Sequence, residues 1–499
     1  MLTVVVFLPL AVALGLLALP RVGDRAAKRV WVVAAALDLA LVVALWAGYG
    51  GSAGQDGLAY QTSVRWIPSV GSGYHVGVDG LSLPLLALTA GLFLACAVYS
   101  LRETHRVRSF AALFLFLETV CMGLFVALDL VLFFVFFDLS IVGMYFVIAG
   151  WGHGDNMRSA LKFFLYTFFG SLALLVAFIG LYLAADPHTF DMVALIRQMP
   201  LAGKPAASAL VLLALGVGLA VKTPTVPFHT WLPPAHTDAP AAGSAILAGV
   251  LLKMGTYGFV RIAMPILPDT WRHYAPVIVA VGVVSVLYGA LVALAQENFK
   301  RMIAYTSVNH MGYIILAVGA AGLLAGGDRQ ARQLAVTGAV TQMVSHGLIT
   351  GALFLLAGVL YDRGHTYQMG RYGGLAGTAP LFGGLTAAAA FASLGLPGFS
   401  GFIAEFQIFT GSIAATAASA VALLGILVTA ALFLRALQRI FLGQLRLPVA
   451  PATVSDLRGA EVASIAPLLL LALVIGVFPR FLLDLVEPAA RAAVELVTR

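Results

Sequence analysis

LGVGLAVKTPTVPFHTWLPPAHTDAPAAGSAILAGVLLKMGTYGFVRI, residues 215–262, decides how the whole chain is read. An apolar helix reaches Lys222 and is broken at once by Pro224 and Pro227. A loop carrying His229, Trp231, Pro233, Pro234 and His236 follows, and a second apolar helix holds Lys253 near its middle. A lysine deep in an apolar span costs roughly 2.5–3.5 kcal/mol on insertion scales, so it faces a partner or a water-filled path. Prolines in a membrane helix free carbonyls that are tolerated where the helix lines a cavity. Two intramembrane lysines flanking a broken helix point to ion transfer more than to packing.

Working outward, the composition sets the class. The 499 residues are 61% hydrophobic and only 10% charged, with a mean hydropathy of +0.98. A soluble domain of this composition would lack the polar surface to cover its core. Apolar runs of about 20 residues, the length a helix needs to cross a bilayer, recur from end to end. The fold class expected is an all-α polytopic membrane protein. Cys96 and Cys121, the two cysteines, both lie in apolar spans and read as core packing. The net charge of +7 is spread over loops with no basic tract, so it speaks of topology and not of nucleic acid. The first apolar run lacks a basic stretch before it and a clear small-residue cleavage site after it, and reads as the first span.

About fourteen spans are expected: 2–19, 30–48, 80–100, 110–128, 130–149, 160–184, 210–222, 243–263, 276–295, 302–324, 334–361, 381–394 resuming at 402–410, 415–442 and 463–478. The Gly- and Ser-rich stretch 50–79 is the longest clear non-spanning segment. Basic residues concentrate after odd-numbered spans, as at Arg21, Arg25, Lys28, Arg29, Arg102, Arg106 and Arg108. By the positive-inside rule this places both termini outside. The three arginines of 480–499 fit less well. A second break, Gly395-Leu396-Pro397-Gly398, comes five spans after the first and is followed by Glu405. Paired interrupted helices are a pointer to inverted repeats and their ion sites.

Ionisable residues inside the spans carry the chemistry. Asp138 sits in LVLFFVFFDLSIVGMYFVIAG, where a carboxylate must pair or hold a proton, and Lys222 is its natural partner. Lys253 has no evident local counter-ion. Glu118, in FLFLETVCMGLF, reads equally as a second proton site or as a hydrogen-bonding neighbour of another helix. His310, in QENFKRMIAYTSVNHMGY, and His346, in VTQMVSHGLITGALFLL, read as relay members, since histidine exchanges protons near neutral pH. Neither has carboxylate or cysteine neighbours at metal-ligand spacing. Glu297, Lys300, Arg301, Asp362, Arg363 and His365 lie at helix ends and read mostly as solvated charges. Asp138, Lys222, Lys253, His310, His346 and Glu405 thus place one ionisable group in each of six spans. A packed bundle has no structural need of such a series, whereas a chain of groups through the membrane core does.

VKTPTVPFHTWLPPAHTDAPAAGSAILAGVLLKMGTYG, ENFKRMIAYTSVNHMGY and ASLGLPGFSGFIAEF resemble the antiporter-type membrane subunits of respiratory complex I, over nearly the whole chain. Glutamate at 405, where the larger L-type subunit and the Mrp antiporter subunits usually carry lysine, is similar to the M type. The resemblance implies fourteen spans and two inverted five-helix repeats, which places boundaries at 1–109, 110–270, 271–445 and 446–499. It implies proton translocation through Asp138, Lys222, Lys253, His310, His346 and Glu405, with other complex I membrane subunits as partners and a bacterial inner membrane as location. No cofactor is implied in this chain; NADH oxidation and quinone reduction would belong to other subunits. Aspartate stands at 138 where the family usually has glutamate, which shortens the reach to Lys222 by one methylene. A subunit of a Mrp-type antiporter or of a membrane-bound hydrogenase shares these motifs and is the alternative.

Overall fold

The computed structural model describes residues 1–19, 21–54, 57–323, 328–448 and 455–498. Residues 20, 55–56, 324–327, 449–454 and 499, which fall in the segments above, lie outside the described residues. Helices α1 (Leu2–Ala18) and α2 (Asp24–Ser52) lead into β1 (Ala59–Ile67) and β2 (Ser72–Val78). The two strands form an antiparallel hairpin with Val64 opposite Tyr74. The stretch expected only as a loop is therefore partly sheet, its backbone groups paired with each other and not left to water.

Four long helices follow: α3 (Leu83–Tyr99), α4 (Val107–Val126), α5 (Leu130–Trp151) and α6 (Asn156–Ala184), then the short α7 (Met192–Gln198). The first interrupted span is α8 (Pro205–Lys222) with α9 (Leu232–Asp238). The pieces α10 (Ala241–Ile246), α11 (Leu252–Gly258) and α12 (Met264–Ile266) form one helical span, with π-helical turns at Leu247–Leu251 and Phe259–Ala263. Next come α13 (Pro268–Leu294), α14 (Phe299–Ala321), α15 (Arg329–Gly364) and the one-turn α16 (Leu375–Thr378). The second interrupted span is α17 (Pro380–Ser393) with α18 (Ser400–Ala415), and α19 (Leu423–Phe441), α20 (Gly459–Val477) and α21 (Arg480–Thr498) complete the chain.

Among the described residues, eleven helices are long and apolar enough to cross a membrane. The expected fourteen also counted the 17-residue α1, the α17–α18 pair that the break divides, and α14. Helix α14 has the length but carries Lys300, Arg301, Asn309 and His310, which lower its hydropathy. Side-chain caps satisfy the first free N–H groups where helices start abruptly. Asp129 accepts from Val131 and Leu132 at the start of α5, Asn298 from Arg301 in α14, and Asp328 from Ala331 in α15.

Two elements close one face of the bundle. The hairpin is tied down by Asp129, which accepts from Ser72 Oγ at 3.0 Å and from the Gly73 N–H at 3.1 Å. The C-terminal residues form α21, whose Leu482, Val486, Ala490, Val494 and Val497 recur at four-residue and three-residue steps and are buried. It packs on α12, α13 and α15, and Arg272 donates to the Val497 carbonyl at 2.9 Å. At the opposite end Arg363 grips Glu461 with two bonds of 2.6 Å, and Arg102 reaches the same carboxylate at 2.8 Å. Of the helix-end charges read as solvated, Arg363 and Lys300 are in fact buried. Packing of α20 and α9 over them removes the water, and Glu461 and the Ala239 carbonyl take its place. The interior itself is built by the span 241–266, α14 and the 36-residue α15, which are buried on nearly every side.

Candidate functional site

The first break places Lys222 at the last turn of α8, fully enclosed. Its ammonium donates to Ser140 Oγ at 2.7 Å and stands 4.8 Å above the ring of Phe137, both on α5. Asp138, between them in sequence, lies within electrostatic range of Lys222 and beside the hydroxyl of Ser171 on α6. Its Oδ1 has no hydrogen-bond partner among the described residues. The expected partners are thus neighbours without direct contact, since the short aspartate turns toward α6 while Ser140 takes the ammonium. Beyond the break, Thr223 and Thr225 bury hydroxyls with no partner among the described residues.

Lys253 lies between the two π-helical turns, a local form often found at functional sites. Its Nζ donates to the Ala248 carbonyl at 2.5 Å, five residues back, and meets His346 Nδ1 at 2.6 Å. This contact depends on how closely two helices approach. A Cβ on Gly347 would stand 2.9 Å from the carbonyl oxygen of Gly249, so only the bare backbone lets α15 come this near. His346 Nε2 faces Ser307 Oγ of α14 at 3.2 Å. The ring of His310, one turn further along α14, crosses that of His346 edge-on at 5.3 Å between centroids.

From His310 the polar groups turn toward the second break. Its ring lies beside the backbone of Ser393, the last residue of α17, and 5.8 Å from the ring of Tyr313. Tyr313 in turn lies in electrostatic range of Glu405 and packs on Phe409, both of α18. Gly395, in the break, has a φ of +76, a left-handed conformation that favours glycine. Glu405 folds back over it, and a Cβ on Gly395 would stand 2.5 Å from Glu405 Oε2. Lys253, His346, Ser307 and His310 thus form one buried polar cluster, with Lys222 at the first break, on α8, which packs on the Lys253 helix α11, and Glu405 at the second.

Other residues fall differently from their sequence reading. His236 is on the short helix α9 and not in an open loop, its ring stacked on Phe354 at 4.4 Å and fully buried. His229 packs edge-on against Tyr288 at 4.9 Å. Lys300 donates to the Ala239 carbonyl at 2.5 Å and lies 5.2 Å from the ring of Tyr367. Arg261, inside the 241–266 span, is neutralised by Asp79 at 2.7 Å. Glu118 lies on α4 and is fully buried. Sequence reading missed Ser140 and Asp38. The hydroxyl at 140 carries no signal of its own, but an aspartate inside VWVVAAALDLALVVALW does. Cys96 and Cys121, by contrast, are buried as their apolar spans imply.

A polytopic helical bundle with two interrupted spans joined by buried lysines, histidines and a carboxylate is the architecture of an ion-translocating membrane subunit. Residues 127–433 match the family described as "NADH:quinone oxidoreductase/Mrp antiporter, TM", and the chain belongs to that family. It is 38% identical over 510 residues to NADH-quinone oxidoreductase subunit M of Rhodobacter capsulatus, covering 99% of this chain and 96% of that protein. It is similar at 31% identity and a TM-score of 0.89 to a chain of respiratory complex I from Thermus thermophilus, with both chains covered in full. A chain of the Mrp complex from Dietzia shares the fold at a TM-score of 0.84 and 23% identity.

Proposed function

We propose that this chain is the M-type subunit of a proton-translocating NADH:quinone oxidoreductase. It sits in a bacterial cytoplasmic membrane with both termini outside, among other antiporter-like subunits of the complex. The observation that carries the proton role is the contact between Lys253 Nζ and His346 Nδ1 at 2.6 Å. A lysine and a histidine in contact share a proton when one of the two is neutral, so their contact is a transfer step. NADH oxidation and quinone reduction take place in other subunits, and this chain moves the protons.

The reading of each residue follows its place. Lys222 swings between Ser140 and Asp138. Close to Asp138 its charge is balanced and the proton is held; turned toward Ser140 it is less well balanced and can release the proton toward Lys253. Lys253 passes it to His346, which stands against Ser307 and crosses His310. From His310 the route runs by Ser393 and Tyr313 to Glu405, the exchange group at the second break. Residues 110–270 and 271–445 form the two repeats, each with one interrupted span.

The deciding experiment is NADH-driven proton uptake in inverted membranes carrying Lys222→Ala or Glu405→Gln, with assembly checked on native gels. Pumping should be lost while the intact complex still oxidises NADH with an artificial acceptor. Undisturbed pumping, with loss of sodium or potassium exchange instead, sinks this reading and promotes the Mrp-type antiporter.

A further inference from the structure

The N-terminal helices hold two carboxyls that the proposed proton route does not use. Helix α2 buries Trp31, Ala34, Ala35, Asp38 and Val42, one stripe at helical spacing. Its partner is α4, where the ring of Trp31 packs against Phe110 at 5.8 Å and Phe114 at 5.2 Å. Asp38 lies seven residues past Trp31, and Glu118 four past Phe114. Steps of two turns and one turn keep both on the faces that already touch. The register therefore sets Glu118 toward Asp38, and the two lie within electrostatic range of each other.

Both residues are 0% exposed. None of their four carboxyl oxygens receives a hydrogen bond from a donor among the described residues. The titratable groups in range are Cys96 of α3 and Cys121 of α4, one turn beyond Glu118, and Cys121 is also in range of Lys222. Helix α1, which packs on α2 and α4, carries no titratable side chain. An ionised carboxylate in such a place costs several kcal/mol if unpaired, and two side by side cannot both ionise. The missing donor is supplied if one carboxyl keeps its proton and gives it to the other in a short O–H···O bond.

We propose that Asp38 and Glu118 form a shared-proton carboxyl pair, a proton-binding site off the main line whose hold on its proton follows the charge of Lys222. A charged Lys222 weakens that hold and a neutral Lys222 strengthens it. This response rests on the proton-translocation reading, whereas the shared proton does not.

Infrared spectra of the purified complex test both parts, comparing unmodified protein with Asp38→Asn, Glu118→Gln and the double variant. Each single variant should keep one protonated carboxyl C=O band at a shifted frequency, because its partner is now an amide, and the double variant should lose it. A single variant that assembles is enough to read the shift. Lys222→Ala should also move the band; a band insensitive to that change overturns the response to Lys222. Spectra of the assembled variants that superimpose on the unmodified complex overturn the pair itself. So does a band that appears only when sodium is removed, which would make this a cation site.

Discussion

Lys253 Nζ stands 2.6 Å from His346 Nδ1, with no carboxylate at ion-pair distance from the ammonium among the described residues. Its other hydrogen bond goes to the Ala248 carbonyl. His346→Ala leaves the lysine with that carbonyl alone. NADH-driven pumping in vesicles should then fall by roughly a hundredfold or more, the scale of a lost proton-transfer group. Groups acting as one unit are not additive, so Lys253→Ala with His346→Ala should pump no worse than Lys253→Ala. A further drop in the double variant would mean that the two act separately.

Asp138 and Lys222 are near but not in contact, Ser140 holding the ammonium at 2.7 Å. Asp138→Glu adds one methylene and brings a carboxylate within reach of Lys222, so turnover should be kept. Asp138→Asn, equal in size but unable to balance the lysine's charge, should cost roughly tenfold or more in turnover. Steady-state NADH:quinone activity on both variants checks this, and equal activity of the two would remove Asp138 from the switch.

At Gly395 the φ of +76 and the nearby Glu405 Oε2 leave no room for a side chain. Gly395→Ala carries a backbone penalty of about 1–2 kcal/mol and also displaces the carboxylate. A lowered melting temperature together with reduced pumping is expected. Normal pumping at normal stability would show that the carboxylate's position over the break is immaterial.

The hairpin offers a pH dependence outside the spans. Burial alone would raise Asp191, but its bonds from His75, at 2.5 Å, and from the Ala194 N–H outweigh burial and hold its pKa below the usual 3.8. A carboxyl lowered on folding stabilises above its unfolded pKa and loses that contribution as the pH falls through its folded value. Hydrogen exchange across β1 and β2 should therefore accelerate as the pH drops below 3.8, and Asp191→Asn should abolish the dependence. An unchanged acid profile in that variant would rule the pair out as the hairpin's anchor.

Arg363 and Glu461 form a doubly bonded pair, 7% and 2% exposed, that ties α15 to α20. Removing one partner from a buried pair strands the other, at a cost of about 3–5 kcal/mol. Arg363→Ala should lower the melting temperature of the complex or prevent its assembly, while Arg301→Ala, on a residue exposed at the start of α14, should not. Thermal melts monitored on native gels compare the two directly.

Most residues of the proposed proton route stand out in the sequence alone. Asp138, Lys222, Lys253, His310, His346 and Glu405 stand out because an ionisable group in an apolar run must have a task or a partner. The two breaks were legible from Pro224, Pro227, Gly395 and Pro397, which cannot continue a helix without loss. Asp38 meets the same criterion. Lys300 and Arg363 look solvated in the sequence because they stand at helix ends, and only the packing of α9 and α20 over them makes them buried. Ser140 could not be found at all, since a serine in a span is common and cheap.

The sequence by itself determined that this is a membrane bundle with two interrupted spans and a costly set of charges inside it. Hydropathy and helix breaking are local properties, additive along the chain, and need no knowledge of neighbours. The partners were decided only by the tertiary structure: Ser140 for Lys222 and His346 for Lys253, along with the place of Glu405 over the Gly395 backbone. Hydrogen bonds act over about 3 Å. Whether two groups meet at that range depends on helix approach and register, such as the bare contact of Gly249 with Gly347, set by residues far apart in sequence.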